Sequence, residues 1–174
     1  MEDHQMTAKE FQALVRELEA TPQIIQQLAD ELSAGDASWK PSEEEWSVLE
    51  YVCHLKDIEQ EGYTVRIAKL LNETQPHLTD IDGDQLALTR SYNSQDFETA
   101  LRAFALARQQ NVEAIRDVPL DRLQALSGTF ENVGPVTLGK ILLMMREHDE
   151  GHVQDVRGLH RRLSRKRATL TAAS

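Results

Sequence analysis

Apolar residues recur along this chain at helical spacing, in four long segments. The first opens on a capping box, Thr7 with Glu10, and carries Phe11, Leu14, Val15, Leu18, Ile25, Leu28 and Leu32 on one face. Thr21-Pro22 interrupts it. A proline inside a helix removes a hydrogen bond and clashes with the preceding turn, so a kink or a restart at Pro22 is predicted, with Gly35 ending the segment. The second segment has the clearest start. Ser47 and Glu50 form a capping box, and Trp46 and Tyr51 occupy the two positions of a hydrophobic staple. Its stripe runs Val48, Tyr51, Leu55, Ile58, Gly62, Val65 and Ala68, and His54 falls on the same inward side.

A polar stretch over 72–93 follows, broken by Pro76 and Gly83, with room for one short helix after Asp84. The third helix starts near Ser94, carries Phe97, Leu101, Phe104, Val112 and Ile115, and ends before Pro119. A loop through Gly128, Gly134 and Pro135 leads to the fourth, capped by Thr137. That helix reads Leu138, Ile141, Leu142, Met145, His148, His152, Val156, Leu159 and Leu163, so two histidines stand inside an apolar stripe. No segment shows convincing strand alternation, and essentially no sheet is expected. Amphipathic helices joined by at least one long connection predict an all-α fold, a four-helix bundle.

Length and composition narrow the picture. A chain of 174 residues, 40% hydrophobic and 28% charged, suits one domain spanning 1–174, with 165–174 expected to fray. No apolar run approaches the ~18 residues that span a bilayer, and the first ten residues are polar, so no membrane association is expected. Cys53 is the sole cysteine, which excludes an internal disulfide and points to a reducing, cytoplasmic setting. A formal charge of −10 disfavours nucleic acid as a partner. The exception is a basic cluster, Arg157, Arg161, Arg162, Arg165, Lys166 and Arg167. With no aromatics interleaved for base stacking, it reads as cations complementing a helix C-terminus, ahead of an anion-binding patch.

The candidate chemistry lies with the histidines. His148 and His152, four residues apart on one helix face, can reach a single ion, and His54 is the other histidine projecting from a predicted helix toward the interior. Three neutral imidazoles suit Zn²⁺, Ni²⁺ or Fe²⁺ and leave a position open. The same spacing also describes histidines that merely pack, and spacing alone leaves both readings standing. HDEGH differs from the metalloprotease HExxH in placing Asp149 where the glutamate base belongs; Asp149 is either an assisting group or a solvated acid. Asp57, three residues after His54, is a candidate to orient that ring, or a surface acid. Cys53 is rotated about 100° from His54 and reads as a packed thiol. His4, His77 and His160 carry no assigned role. Gly62, Gly151 and Gly158 fall inside predicted helices at a cost of roughly 1 kcal/mol each, which close backbone approach or room for a ligand would explain.

WKPSEEEWSVLEYVCHLKD, SYNSQDFETALRAFALARQQNVEAI and GPVTLGKILLMMREHDEGHVQDVRGL together make the chain resemble the DinB/YfiT-like metal-binding bundles. The resemblance implies an up-down-down-up four-helix bundle, frequently a homodimer, with a divalent metal (Zn or Ni foremost) held by His54, His148 and His152. Members of that family range from low-molecular-weight thiol S-transferases to proteins of no known activity. The leading expectation is therefore a metal-dependent enzyme that transfers a small thiol to an electrophilic small molecule. A metal-dependent hydrolase assisted by Asp149 comes second, and a non-catalytic, metal-stabilised binding module third.

Overall fold

The computed structural model describes residues 6–172. Helix α1 (Ala8–Ala29) starts on the Thr7–Glu10 capping box and continues through Pro22 without a restart. Pro22 has no N–H to give the Leu18 carbonyl, and Arg108 Nη1 serves that carbonyl from another helix at 2.8 Å. This substitution is why the predicted break does not occur. Gly35 does not end the helix either. A second capping box, Ser33 with Asp36, starts a short helix α2 (Ala34–Ala37) that contains it.

Ser47 and Glu50 cap α3 (Val48–Asp57) as predicted, with the Trp46 and Tyr51 rings 5.2 Å apart. A π-helical turn over Ile58–Tyr63 joins α3 to α4 (Thr64–Asn72). The long connection holds strand β1 (His77–Leu78), α5 (Gly83–Thr89, capped by Asp82) and a 3₁₀ turn at Tyr92–Ser94. Then come α6 (Phe97–Ile115), α7 (Leu120–Ala125), strands β2 (Ser127–Phe130) and β3 (Gly134–Thr137), and α8 (Leu138–Ala172).

The hairpin of β2 and β3 corrects the expectation of no sheet. Phe130 and Val136 point into the core, and β1 adds a third strand, parallel to β2. Four-residue strands offer two inward side chains at most, too few to register as alternation. Asn132, at φ 63°, supplies the left-handed turn residue between them.

Which residues meet fixes the helix directions. Phe11, Leu14 and Leu18 share a cluster with Ile58, Ile67, Val112, Ile115, Ile141 and Leu142, whereas Ile25 and Ala29 share one with Val52, Leu101, Phe104, Val156 and Leu159. Sequence numbers rise together along α1 and α8 and fall together along α3–α4 and α6, the up-down-down-up arrangement. Each buried Leu, Ile or Phe contributes about 1.5–3 kcal/mol of transfer free energy, so the two clusters supply most of the drive to fold.

Between the clusters lies a polar layer with one member from each long helix: Thr21, Glu59, Arg108 and Asp149, all buried. Arg108 forks onto Glu59 (2.9 and 2.8 Å) and onto Asp149 (2.5 and 2.9 Å). Asn111 donates to Glu59 at 2.7 Å and Thr21 to Asp149 at 2.7 Å.

The basic C-terminal stretch continues α8 as helix as far as Ala172. Its cations reach back to the acidic connection between α1 and α3. Arg162 pairs with Glu45 (2.5 Å), Arg167 with Asp36 (2.5 Å) and the Glu31 carbonyl (3.2 Å), and Lys166 lies 4.7 Å from the Trp39 ring centre. No helix among the described residues is long and apolar enough to cross a membrane.

Candidate metal centre

His54 and the pair His148/His152 come together from antiparallel helices, α3 and α8. One ring nitrogen from each lies within 4.8 Å of the others, and this is the one such group of His, Cys, Asp or Glu found among the described residues. His54 Nε2 and His148 Nε2 face each other at 3.0 Å. The ring centres stand 5.2, 4.8 and 4.5 Å apart. Of the remaining histidines, His77 lies exposed in β1 and His160 sits 3.4 Å from Glu31, both away from the cluster; His4 lies outside the described residues.

The electrostatics prepare these rings as ligands. Burial, then the neighbouring His152, pushes the His54 pKa down to about 4 and that of His148 down to about 2. Both are neutral at pH 7 and present lone pairs. The Nδ1 atoms of His54 and His148 are buried with no partner among the described residues. Leaving such atoms unpaired costs about 1–3 kcal/mol each. Three imidazoles turned toward one point match the donor set of a borderline-soft divalent ion, so the residues fit a metal.

His152 is oriented by Asp155, whose Oδ2 lies 3.2 Å from Nδ1. A carboxylate behind a ligating histidine fixes its tautomer and leaves Nε2 for the metal. Asp57 was a candidate for this role toward His54, with a surface acid as the alternative, and the structure gives it neither place. It accepts from Tyr92 Oη (2.7 Å) and pairs with Arg90 (2.8 Å) and Lys56 (3.0 Å). The overlooked residue carried the same signal, since HLKD and HVQD both place an aspartate three residues after a histidine.

Asp149 is neither solvated nor in the site. One residue on from His148 rotates it about 100°, from the cleft to the core, where it is 3% exposed and bound to Arg108 and Thr21. Cys53 is a packed thiol as expected, its pKa pushed up to about 12 by burial. Gly151 and Gly158 have open space where a Cβ would stand, so close backbone approach explains neither, and Gly158 lines the cleft. The glycine that matters is Gly83. A Cβ there would lie 2.4 Å from His54 Cε1, so the start of α5 closes directly over the ring.

Aromatic rings collar the cluster: Trp46 lies 5.1 Å from the His54 ring, Tyr51 5.4 Å from His152 and Tyr63 6.0 Å from His148. Outside them opens a cleft of about 960 Å³, whose lining includes Arg66, Phe130 and Met144. This is ample for a small-molecule substrate, since ligand pockets run from roughly 300 to 1,000 Å³.

Comparison with known proteins agrees with this architecture. The model of the DinB superfamily matches residues 17–156. Among solved structures, YfiT from Bacillus subtilis, described as a probable metal-dependent hydrolase with an unusual four-helix bundle topology, is similar with a TM-score of 0.84. The likeness covers 94% of this chain and 93% of that one at 16% identity. No match is found among curated proteins.

Proposed function

The chain belongs to the DinB superfamily, and from that membership and its converging histidines we propose a metal-dependent enzyme that transfers a low-molecular-weight thiol to an electrophilic small molecule. His54, His148 and His152 hold one divalent ion, Zn²⁺ or Ni²⁺. The observation that carries this reading is the donor set. Three imidazole rings face one cleft, and the aspartate beside them in sequence is turned into the core. Neutral ligands leave the charge of the ion uncompensated and favour an anionic fourth partner, which a thiol supplies.

When bound, the ion supplies Lewis acidity that lowers the pKa of a coordinated thiol. The protein does the rest. Asp155 fixes the His152 tautomer, Gly83 holds the His54 ring in place from above, and Trp46, Tyr51 and Tyr63 pack around the three rings. No protein nucleophile is required, because the nucleophile arrives as substrate.

Hydrolysis is the second reading, favoured by the likeness to YfiT. It proceeds here without Asp149, whose carboxylate is committed to Arg108. The two readings separate in protein loaded with Co²⁺. A sulfur-to-metal charge-transfer band on adding thiol, together with metal-dependent conjugation of a model electrophile lost in His54→Ala, supports thiol transfer. An unchanged spectrum with ester or amide hydrolysis that tracks metal content replaces it with the hydrolase. Neither activity leaves a metal-stabilised binding module.

A further inference from the structure

We infer that Arg66 is the carboxylate receptor of this cleft, so that the thiol substrate reaching the three histidines carries a carboxylate bound at the Nη1 edge of the guanidinium. The inference rests on the thiol-site reading above and adds the charge of the substrate to it.

Arg66 is the third residue of α4, the helix that follows the π turn, and lines the cleft together with the histidines. Its side chain is only 7% exposed, so its positive charge is largely stripped of water. A guanidinium in that position needs partners on all its edges. One edge is satisfied, since Nε and Nη2 both donate to the Thr79 carbonyl, at 3.2 and 2.9 Å. Its faces are covered by Phe130, 4.5 Å from Cζ to the ring centre, and by Tyr63 at 5.6 Å. The nearest carboxylate, Asp80, stands 3.6 Å from Nη2 and is itself 48% exposed, so it compensates the charge weakly. Nη1 makes no hydrogen bond among the described residues. Space for it is kept by Gly62, where a Cβ would lie 3.1 Å from Nη1.

This is a guanidinium locked in place with one edge unspent. Tyr63 links it to the metal centre, with one ring touching both Arg66 and His148. A planar carboxylate matches that edge. A phosphate dianion fits worse, because Glu44, Asp82 and Asp84 line the same cleft and a second negative charge meets their repulsion.

The test uses calorimetry on the Zn²⁺-loaded protein with three ligands: 3-mercaptopropionate, its uncharged amide, and butyrate, which keeps the carboxylate and lacks the thiol. Wild type should bind the acid about 10- to 100-fold more tightly than the amide, the range for a charge-assisted hydrogen bond. Arg66→Gln, which keeps a donor for Thr79, should lose that preference while amide affinity holds. Arg66→Lys should retain part of it and guards against a folding defect in the glutamine variant. Equal binding of acid and amide by wild type, or a preference that survives in Arg66→Gln, overturns the inference. Failure of the thiol reading looks different: butyrate then binds as tightly as 3-mercaptopropionate, and the Co²⁺ spectrum ignores both, while the dependence of butyrate on Arg66 still decides the role of the arginine.

Discussion

Replacing Arg108 with methionine removes the cation at the centre of the layer that joins the four long helices. Burial works against its charge, but Glu59 and Asp149 more than offset this and hold its pKa above the ordinary arginine value. Methionine fills much of the volume and none of the chemistry. Two carboxylates with side chains 1% and 4% exposed then face each other without a counter-charge. Breaking a buried ion pair by removing one partner costs about 3–5 kcal/mol. The Leu18 carbonyl, already without an N–H from Pro22, loses its donor and adds about 1 kcal/mol or more. The expected loss is therefore roughly 4–6 kcal/mol, a large share of the 5–15 kcal/mol typical of a domain. For a chain of this length it lowers Tm by roughly 8–24 °C.

Urea unfolding of the metal-free protein, followed by circular dichroism at pH 7, measures this directly. Asp149→Asn should cost less, because Arg108 keeps both hydrogen bonds to Glu59 and the Leu18 contact. Replacing Arg108, Glu59 and Asp149 together by apolar residues of similar volume should recover much of the loss in Arg108→Met, since the uncompensated charges disappear. An Arg108→Met variant within about 1 kcal/mol of wild type would refute the assignment of this layer as a charge-compensated unit. So would a larger loss in Asp149→Asn than in Arg108→Met.

Four further outcomes are expected. Metal analysis should find one divalent ion per chain, abolished in His148→Ala with helix content largely kept and unaffected in His77→Ala; equal loss in both would mean that the site lies elsewhere. Because folding lowers the His54 and His148 pKa values to about 4 and about 2, the unfolded chain takes up protons first, and stability of the metal-free protein is full above pH 6.5 and falls as pH drops. His54 alone accounts for about 3 kcal/mol by pH 4, read from denaturation midpoints, and a flat profile between pH 4 and 6.5 would contradict it. Gly83→Ala places a Cβ 2.4 Å from the His54 ring and should displace it, weakening metal affinity while barely changing the melting temperature; unaltered affinity in a competition with a chelator would argue against that contact. Asp155→Ala frees His152 Nδ1 and should weaken the metal about 10- to 100-fold, whereas Asp57→Ala should act on stability and leave affinity near wild type.

The helices and their caps were legible because they are local. Thr7 with Glu10 and Ser47 with Glu50 are three-residue signals, and both boxes form as read. The three histidines were legible for the same reason, since stripe position on α3 and α8 determines facing. What escaped the sequence was set by partners far away in the chain. Pro22 reads as a break until a guanidinium from residue 108 takes over its carbonyl. Asp149 reads as a helix-flank acid until that same guanidinium and Thr21 meet it. Gly83 reads as a loop breaker until the ring of His54, twenty-nine residues earlier, is found beneath it. The hairpin was missed because its two strands contribute only a pair of core side chains.

These distant contacts bear on the metal centre itself. His148 and Asp149 are consecutive on α8 and point to opposite sides, one toward the cleft and one into the polar layer. A slip of α8 along its axis by one residue, about 1.5 Å, would break the Asp149 fork on Arg108 and carry His148 away from His54 together. An apolar layer tolerates such slips better, because dispersion contacts are short-ranged but undirected. The forked hydrogen bonds do not, since their geometry is satisfied at one register only. Glu59 extends this constraint to the π turn, five residues after His54, so the same guanidinium fixes both helices that supply ligands. The layer thus sets the separation of His54 and His148 from behind, on the core side, while Asp155 and Gly83 set the ring orientations from the cleft side.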